Sequence, residues 1–203
     1  MTVLITDPAI TDRLKAERQL CGGDRFDEVW EDVYMMAPLP DDEHQDIQAK
    51  LTAVFQTAVG WTQFAQVRAG ANVSDREAGW EHNYRCPDVA VFLEDTKARN
   101  LGTHWVGGPD FAVEIISPYD RTREKLPFYS KLGLRELLVI DRRPWSIELF
   151  RHSGGNLDIV GRIDPSGRLQ LKSETLGMTF ALVPGNPRPS IEIIQAAGQR
   201  WIV

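Results

Sequence analysis

With 203 residues the chain fits one domain, or one domain with an appendage, and can bury a core without covalent staples. Its 42% apolar and 26% charged content is ordinary globular usage, and no stretch approaches the roughly 18 apolar residues of a bilayer span, so neither a disordered chain nor a membrane helix is expected. A formal net charge of −6 argues against a broadly basic surface, so nucleic-acid binding would have to use a local basic patch or a bound metal ion.

The opening MTVLITDPAITDR lacks a basic start followed by an apolar stretch, which reads as a cytoplasmic protein. Cys21 and Cys86 stand in no C-x-x-C or Cys/His cluster, so buried or idle thiols are expected rather than a disulfide framework or zinc knuckle.

In chain order, Pro8 to Leu20 reads as a short amphipathic helix ended by Gly22 and Gly23. DEVW and VYMM read as two strands around a tight turn near Glu31 and Asp32. The acidic start DDEH opens a helix with Ile47, Leu51, Val54, Phe55 and Ala58 at helical spacing, and His44 falls on the inward face of its first turn. Strand-like runs at Gln63 to Val73 and Cys86 to Leu93 flank a loop, EAGWEHNYR. Phe111 to Ile116 suits a short buried strand stopped by Pro118, and Asp120 to Gly133 reads as a second clear helix. Glu136 to Ile140, Trp145 to Phe150, Leu157 to Arg162, Arg168 to Leu171 and Thr179 to Leu182 follow as strands.

This order implies an α/β protein in the α+β sense, a mixed sheet with helices on its faces, whose trailing strands extend the sheet or form a small β appendage. The expected organisation is an N-terminal helical segment over 1–25, a domain over 26–185 and a tail over 186–203. That tail either closes the fold or packs on a second copy. Its Ile193, Ile194, Trp201, Ile202 and Val203 are material for a homodimer contact.

Three fragments carry the chemistry: CPDVAVFL, DFAVEIIS and DRTREKLPFYSKLGLRELLVID. Asp88 opens one apolar run and Glu114 lies inside another. A carboxylate in a buried strand costs several kcal/mol unless paired or bound to a metal. If Asp120 to Gly133 is helical, Lys125, Phe128, Tyr129 and Leu132 share one face, and Lys125 points inward as the missing cation. Each residue alone has a plainer reading: a turn for Asp88, an arginine partner or solvent for Glu114, a snorkelling stem for Lys125. Ser117 is a poor nucleophile, since no His/Asp partnership for it is visible. The basic residues Arg121, Arg123, Lys125, Lys131, Arg135, Arg142 and Arg143 form either a patch or a solvated face.

From about Phe26 to Phe150 the chain resembles the Uma family of restriction-endonuclease-like domains, a branch of the PD-(D/E)xK nuclease superfamily. The resemblance rests on EVWEDVYMMAP followed by EHQ, then RCPDVAVF, FAVEIISP, and a helical lysine with YSKLGLRELLVID. It implies a restriction-endonuclease-like core with extra C-terminal strands, Asp88 and Glu114 as ligands of Mg2+ or Mn2+, and Lys125 as the catalytic lysine displaced onto the next helix. The usual E-x-K is absent, because Ile116 stands two residues after Glu114. His44 matches the helix-start histidine of the family, in a catalytic role or as a capped core residue. Asp32 stands where the family commonly has Gly, which predicts a differently shaped hairpin. The implied function is hydrolysis of phosphodiester bonds in nucleic acid, DNA first. The alternative is a binding or regulatory module on the same fold that does little chemistry.

Overall fold

A computed structural model describes residues 3–62, 65–117, 121–167 and 169–203. In chain order, β1 (Val3–Ile5) and α1 (Pro8–Leu20) precede a hairpin of β2 (Glu28–Trp30) and β3 (Val33–Met36). Then come α2 (Asp42–Phe55), β4 (Ala65–Ala69), β5 (Val73–Ser74), β6 (Tyr84–Arg85), β7 (Val89–Leu93), β8 (Arg99–Asn100), β9 (Trp105–Val106) and β10 (Phe111–Ile115). A 3-10 turn at Thr122–Lys125 leads into α3 (Leu126–Lys131). The chain continues with β11 (Glu136–Arg142), β12 (Trp145–Ser153), β13 (Asn156–Ile163) and β14 (Leu171–Ser173). It finishes with β15 (Met178–Val183), β16 (Ser190–Gln195) and β17 (Arg200–Ile202).

The central sheet runs β13-β12-β11-β10-β7-β4, with β10 and β11 parallel and its other neighbours antiparallel. The fold is therefore the expected mixed α+β architecture. One face is covered by α2 and by a four-stranded sheet, β14-β15-β16-β17, around Ile47, Leu51, Phe55, Phe111, Val113, Phe180 and Ile191. On the other face, α3 and the β5/β9 part of a second sheet bury Phe92, Trp105, Tyr129, Leu134 and Leu137. The trailing strands thus do both expected things: β12 and β13 widen the central sheet, and the rest build a separate layer. Ile191, Ile193 and Val203 of the C-terminal segment lie in the core of this chain, and Ile202 remains on the surface.

Helix starts follow their caps. Asp7 Oδ1 accepts from Ala9 and Ile10 backbone N–H groups ahead of Pro8, and Asp41 Oδ1 accepts from the His44 N–H at 2.9 Å. In α1 the buried position is Thr11, so that helix is largely solvated rather than clearly amphipathic. Three expected elements have shifted bounds. The run from 63 to 73 breaks at Gly70, whose φ of +71° leaves the strand region, and its first two residues lie outside the described ones. The run from Cys86 starts pairing only at Val89, after Pro87, which has no N–H to offer.

The second helix starts later than expected. Pro127 cannot donate to a preceding carbonyl, so it sits in the first turn, where that donor is not needed, and α3 proper is Leu126–Lys131. Pro118 and Asp120, read as a strand stop and helix start, lie outside the described residues, as does Arg168. Gly133, at φ +80°, ends α3 as expected: its N–H bonds to Ser130 O and the Leu134 N–H to Tyr129 O.

The β2–β3 turn keeps a tight two-residue form without glycine. Glu31 and Asp32 both take positive φ, 46° and 67°, a conformation costly for side chains with a Cβ. Contacts from the following loop hold it: Asn83 Nδ2 donates to Glu31 Oε1 at 2.7 Å, and His82 Nδ1 lies 2.7 Å from Asp32 Oδ1.

Candidate active site

Strand alternation places the two acids. Phe111, Val113 and Ile115 of β10 face the α2 core, so Ala112 and Glu114 face the other side. In the antiparallel register Phe111 pairs with Val91 and Val113 with Val89, so one further step along sets Glu114 against Asp88. Both acids are buried, and both line one cleft with a volume of about 90 Å³. Its walls include Phe26, Glu28, Trp30, Met35, His44 and Lys125.

Asp88 is held at its carbonyl and at both carboxylate oxygens. Its carbonyl accepts from the Gly70 N–H at 3.0 Å and from Gln48 Nε2 at 2.8 Å. Oδ2 accepts from the Ile115 N–H at 2.7 Å, and Oδ1 lies 2.9 Å from His44 Nε2. A carboxylate only accepts, so the histidine donates from Nε2. His44 Nδ1 then faces Ser117 Oγ at 3.4 Å. This corrects the expectation that Ser117 has no His/Asp partnership: the three side chains form a row, brought together from three distant segments. At 3.4 Å the Ser117–His44 contact is longer than a strong O–H···N bond, and Ser117 remains a poor nucleophile.

Glu114 has the cation the sequence demanded. Lys125 Nζ donates to both of its oxygens at 3.1 Å, and the Tyr129 hydroxyl donates to Oε1. Lys125 is buried, so the snorkelling alternative does not describe it. It lies on the 3-10 turn rather than within a helix, and it still points inward. Burial, followed by the charges of Glu114 and Glu28, pushes the Tyr129 hydroxyl well above its ordinary range, so it stays a donor.

The sequence reading missed Glu28. Its Oε1 lies 2.9 Å from Lys125 Nζ and accepts from the Cys86 N–H at 2.9 Å, while Oε2 accepts from Trp30 Nε1 at 2.6 Å. Cys86 is buried beside it. Burial first, then Glu28 and Asp88, push the thiol up, so it holds its proton and is no nucleophile.

The basic run is mostly spent on internal ion pairs. Arg123 pairs with Glu148, Lys131 with Asp75, Arg135 with Asp95 and Asp110, and Arg142 with Asp41 and Glu43. Arg121 reaches the cleft and pairs with Glu124. Three lining carboxylates thus share the cleft with Lys125, a surplus of acid that suits a hard cation. Among the described residues no three His, Cys, Asp or Glu side chains are grouped to hold one ion. An ion at Asp88 and Glu114 would therefore draw on backbone carbonyl and water as well.

Fold and site together define a nuclease-like α+β protein. The chain belongs to the Uma2 family, "Putative restriction endonuclease", whose model matches residues 16–182. Nucleases of the restriction-endonuclease-like kind generally use divalent metals. A solved structure, a "putative nuclease belonging to DUF820" from Anabaena variabilis ATCC 29413, superimposes with a TM-score of 0.58 at 19% identity, covering 74% of this chain and 83% of that one. At that identity the likeness is one of fold. No curated protein matches the chain at a significant level. Among the described residues, no helix is long and apolar enough to cross a membrane.

Proposed function

We propose that the protein is a divalent-metal-dependent nuclease that hydrolyses phosphodiester bonds of DNA. The observation that carries this is the meeting, in one cleft, of Asp88 just ahead of β7 and Glu114 of the neighbouring β10 with Lys125 from the turn before α3. Asp88 and Glu114 would hold Mg2+ or Mn2+, and such an ion supplies charge neutralisation at the phosphodiester and activation of water. Lys125 offers an ammonium to the charge that develops on the phosphate oxygens. His44 keeps the Asp88 carboxylate turned into the cleft, as partners of metal ligands commonly do.

Purified protein incubated with plasmid DNA and Mn2+ tests the reading, with Asp88→Ala as the control for contaminating nuclease. Metal-dependent cleavage that is lost in the variant supports it. Equal cleavage by both removes it.

A second reading, a nuclease-fold module that binds without cutting, is favoured by one observation. The carboxylates of Asp88 and Glu114 are already engaged by internal donors, and most of the basic run is neutralised by ion pairs. Binding of DNA by both wild type and Asp88→Ala, with cleavage by neither, would select it. We further propose a cytoplasmic homodimer. Its support is the edge strand β13, which exposes Ile159 and Val160. A monomer mass by light scattering at all working concentrations would remove the dimer.

A further inference from the structure

Glu28 is buried on β2, where alternation turns Val29 into the apolar cluster with Tyr34 and turns Glu28 towards the cleft. Its carboxylate gathers donors from three places in the chain: Trp30 on its own strand, the Cys86 backbone ahead of β7, and Lys125 ahead of α3. The first two are neutral N–H donors that take one carboxylate oxygen each, and Lys125 is the partner that carries charge. A buried charge is costly unless it is paired, so the reason for a carboxylate here is its cationic partner.

That partner sits on a flexible four-carbon stem. Nζ is fixed by carboxylates on two different sheets, Glu114 on β10 and Glu28 on β2. A cation held by Glu114 competes with Nζ for the same two oxygens. The contact to Glu28 lies outside that competition.

We infer that Glu28 is a positioning residue that anchors the Lys125 ammonium in the cleft, so that Lys125 stays in place when Glu114 turns to a metal ion. This rests on the nuclease reading for its catalytic consequence, but the anchoring itself has a readout that needs no activity. Lys125 is 11% exposed at its side chain and Lys131 is 63% exposed, so the second serves as an internal reference for the first.

The experiment compares wild type with Glu28→Gln, which preserves shape and removes the charge. Glu28→Asp serves as a second variant that keeps the charge, and circular dichroism confirms that each folds. Acetylation of Lys125 by an N-hydroxysuccinimide ester is followed by mass spectrometry relative to Lys131, with and without saturating Mn2+. The expected result is severalfold faster labelling of Lys125 in Glu28→Gln, most marked with Mn2+, and intermediate labelling in Glu28→Asp. In plasmid cleavage, kcat should fall by about one to two orders of magnitude in Glu28→Gln, with KM and Mn2+ affinity unchanged.

Labelling equal to wild type in both variants overturns the inference. A fall in Mn2+ affinity matching that of Asp88→Ala also overturns it, by making Glu28 a ligand instead. Failure of the nuclease reading has a separate signature: wild type that cleaves nothing with any divalent metal while Lys125 still loosens in Glu28→Gln.

Discussion

His44 Nε2 lies 2.9 Å from Asp88 Oδ1, and the same carboxylate accepts the Ile115 N–H through its other oxygen. The first contact orients the acid from α2 and the second from β10, so removing the imidazole frees one oxygen without unfolding the strand pair. His44→Ala should therefore weaken Mn2+ binding by about ten- to a hundredfold, as loss of a partner to a metal ligand does elsewhere. Isothermal titration calorimetry reads this directly. Unchanged affinity would mean that the Ile115 N–H alone sets the carboxylate.

On the proposed nuclease reading, metal-dependent cleavage should fall by orders of magnitude in Asp88→Ala and in Glu114→Gln, because each removes charge that would hold the ion. Lys125→Ala should lose rate while Mn2+ binding is retained, since an ammonium acts on transition-state charge and cannot ligate a cation. Lys125→Arg keeps the charge but not the ability to give up a proton at neutral pH. Activity retained in Lys125→Arg assigns an electrostatic role, and activity lost assigns either proton transfer or a fit too tight for the guanidinium. Full activity in Lys125→Ala would remove this residue from the mechanism.

The parts of this site that were legible in the sequence share one cause. Asp88 and Glu114 interrupt apolar strands, and Lys125 falls on the buried face of a turn and helix, so each is anomalous against its neighbours. Lys125 is buried although α3 starts late, because a 3-10 turn followed by helix still turns it towards the sheet. Glu28 carried no such mark. In E-V-W an acid beside a buried valine is what any strand with one solvated face looks like, and only the packing of β2 against the Lys125 turn makes it interior. The row from Ser117 through His44 to Asp88 was equally hidden, since 73 residues separate its first two members. Of the layer built from β14 to β17, the first two strands were visible as short runs, whereas β16 and β17 lie in what reads as a tail. The packing of this layer against α2 was not visible, because nothing local in Phe180 or Ile191 says which surface will cover them.

Asp75 gives the stability a pH dependence. Burial raises its pKa, but hydrogen bonds from Arg76 and Lys131 outweigh that and hold the carboxyl at about 2, below the ordinary 3.8. A depressed acid stabilises the fold above its unfolded pKa, and the contribution fades as pH falls from 3.8 towards 2. Both cationic partners are well exposed, so solvent screening reduces the effect to about 1 kcal/mol. Urea unfolding of Asp75→Asn should show that deficit at pH 7 and converge with wild type near pH 2. A deficit that persists at pH 2 would assign it to packing or to the bond that Asn83 Nδ2 donates to Asp75 Oδ1 at 3.3 Å.

Glu136 joins two layers of the fold, and its removal should separate them. The side chain opens β11 and is 1% exposed. Oε1 accepts from Arg151 Nε at 2.8 Å and from the Glu174 N–H at 3.1 Å, while Oε2 accepts from the Thr175 N–H at 3.1 Å and from the Ser173 hydroxyl. Two of these donors belong to the link between β14 and β15 and a third to the last residue of β14, so one carboxylate ties the four-stranded layer to the central sheet. Glu136→Ala leaves the Glu174 and Thr175 N–H groups and the Ser173 hydroxyl without their acceptor, while Arg151 keeps Glu174 and the Lys172 carbonyl, which should cost about 3 kcal/mol. Glu136→Gln keeps one acceptor and turns its amide towards donors, so it should recover only part of that loss. Hydrogen exchange should locate the damage: amides of β14 and β15 lose protection before those of β7 and β10, and Mn2+ affinity at the distant cleft is unchanged wherever the variant is folded. Uniform loss of protection across both layers would show that they unfold as one unit and that Glu136 stabilises the whole fold rather than the seam.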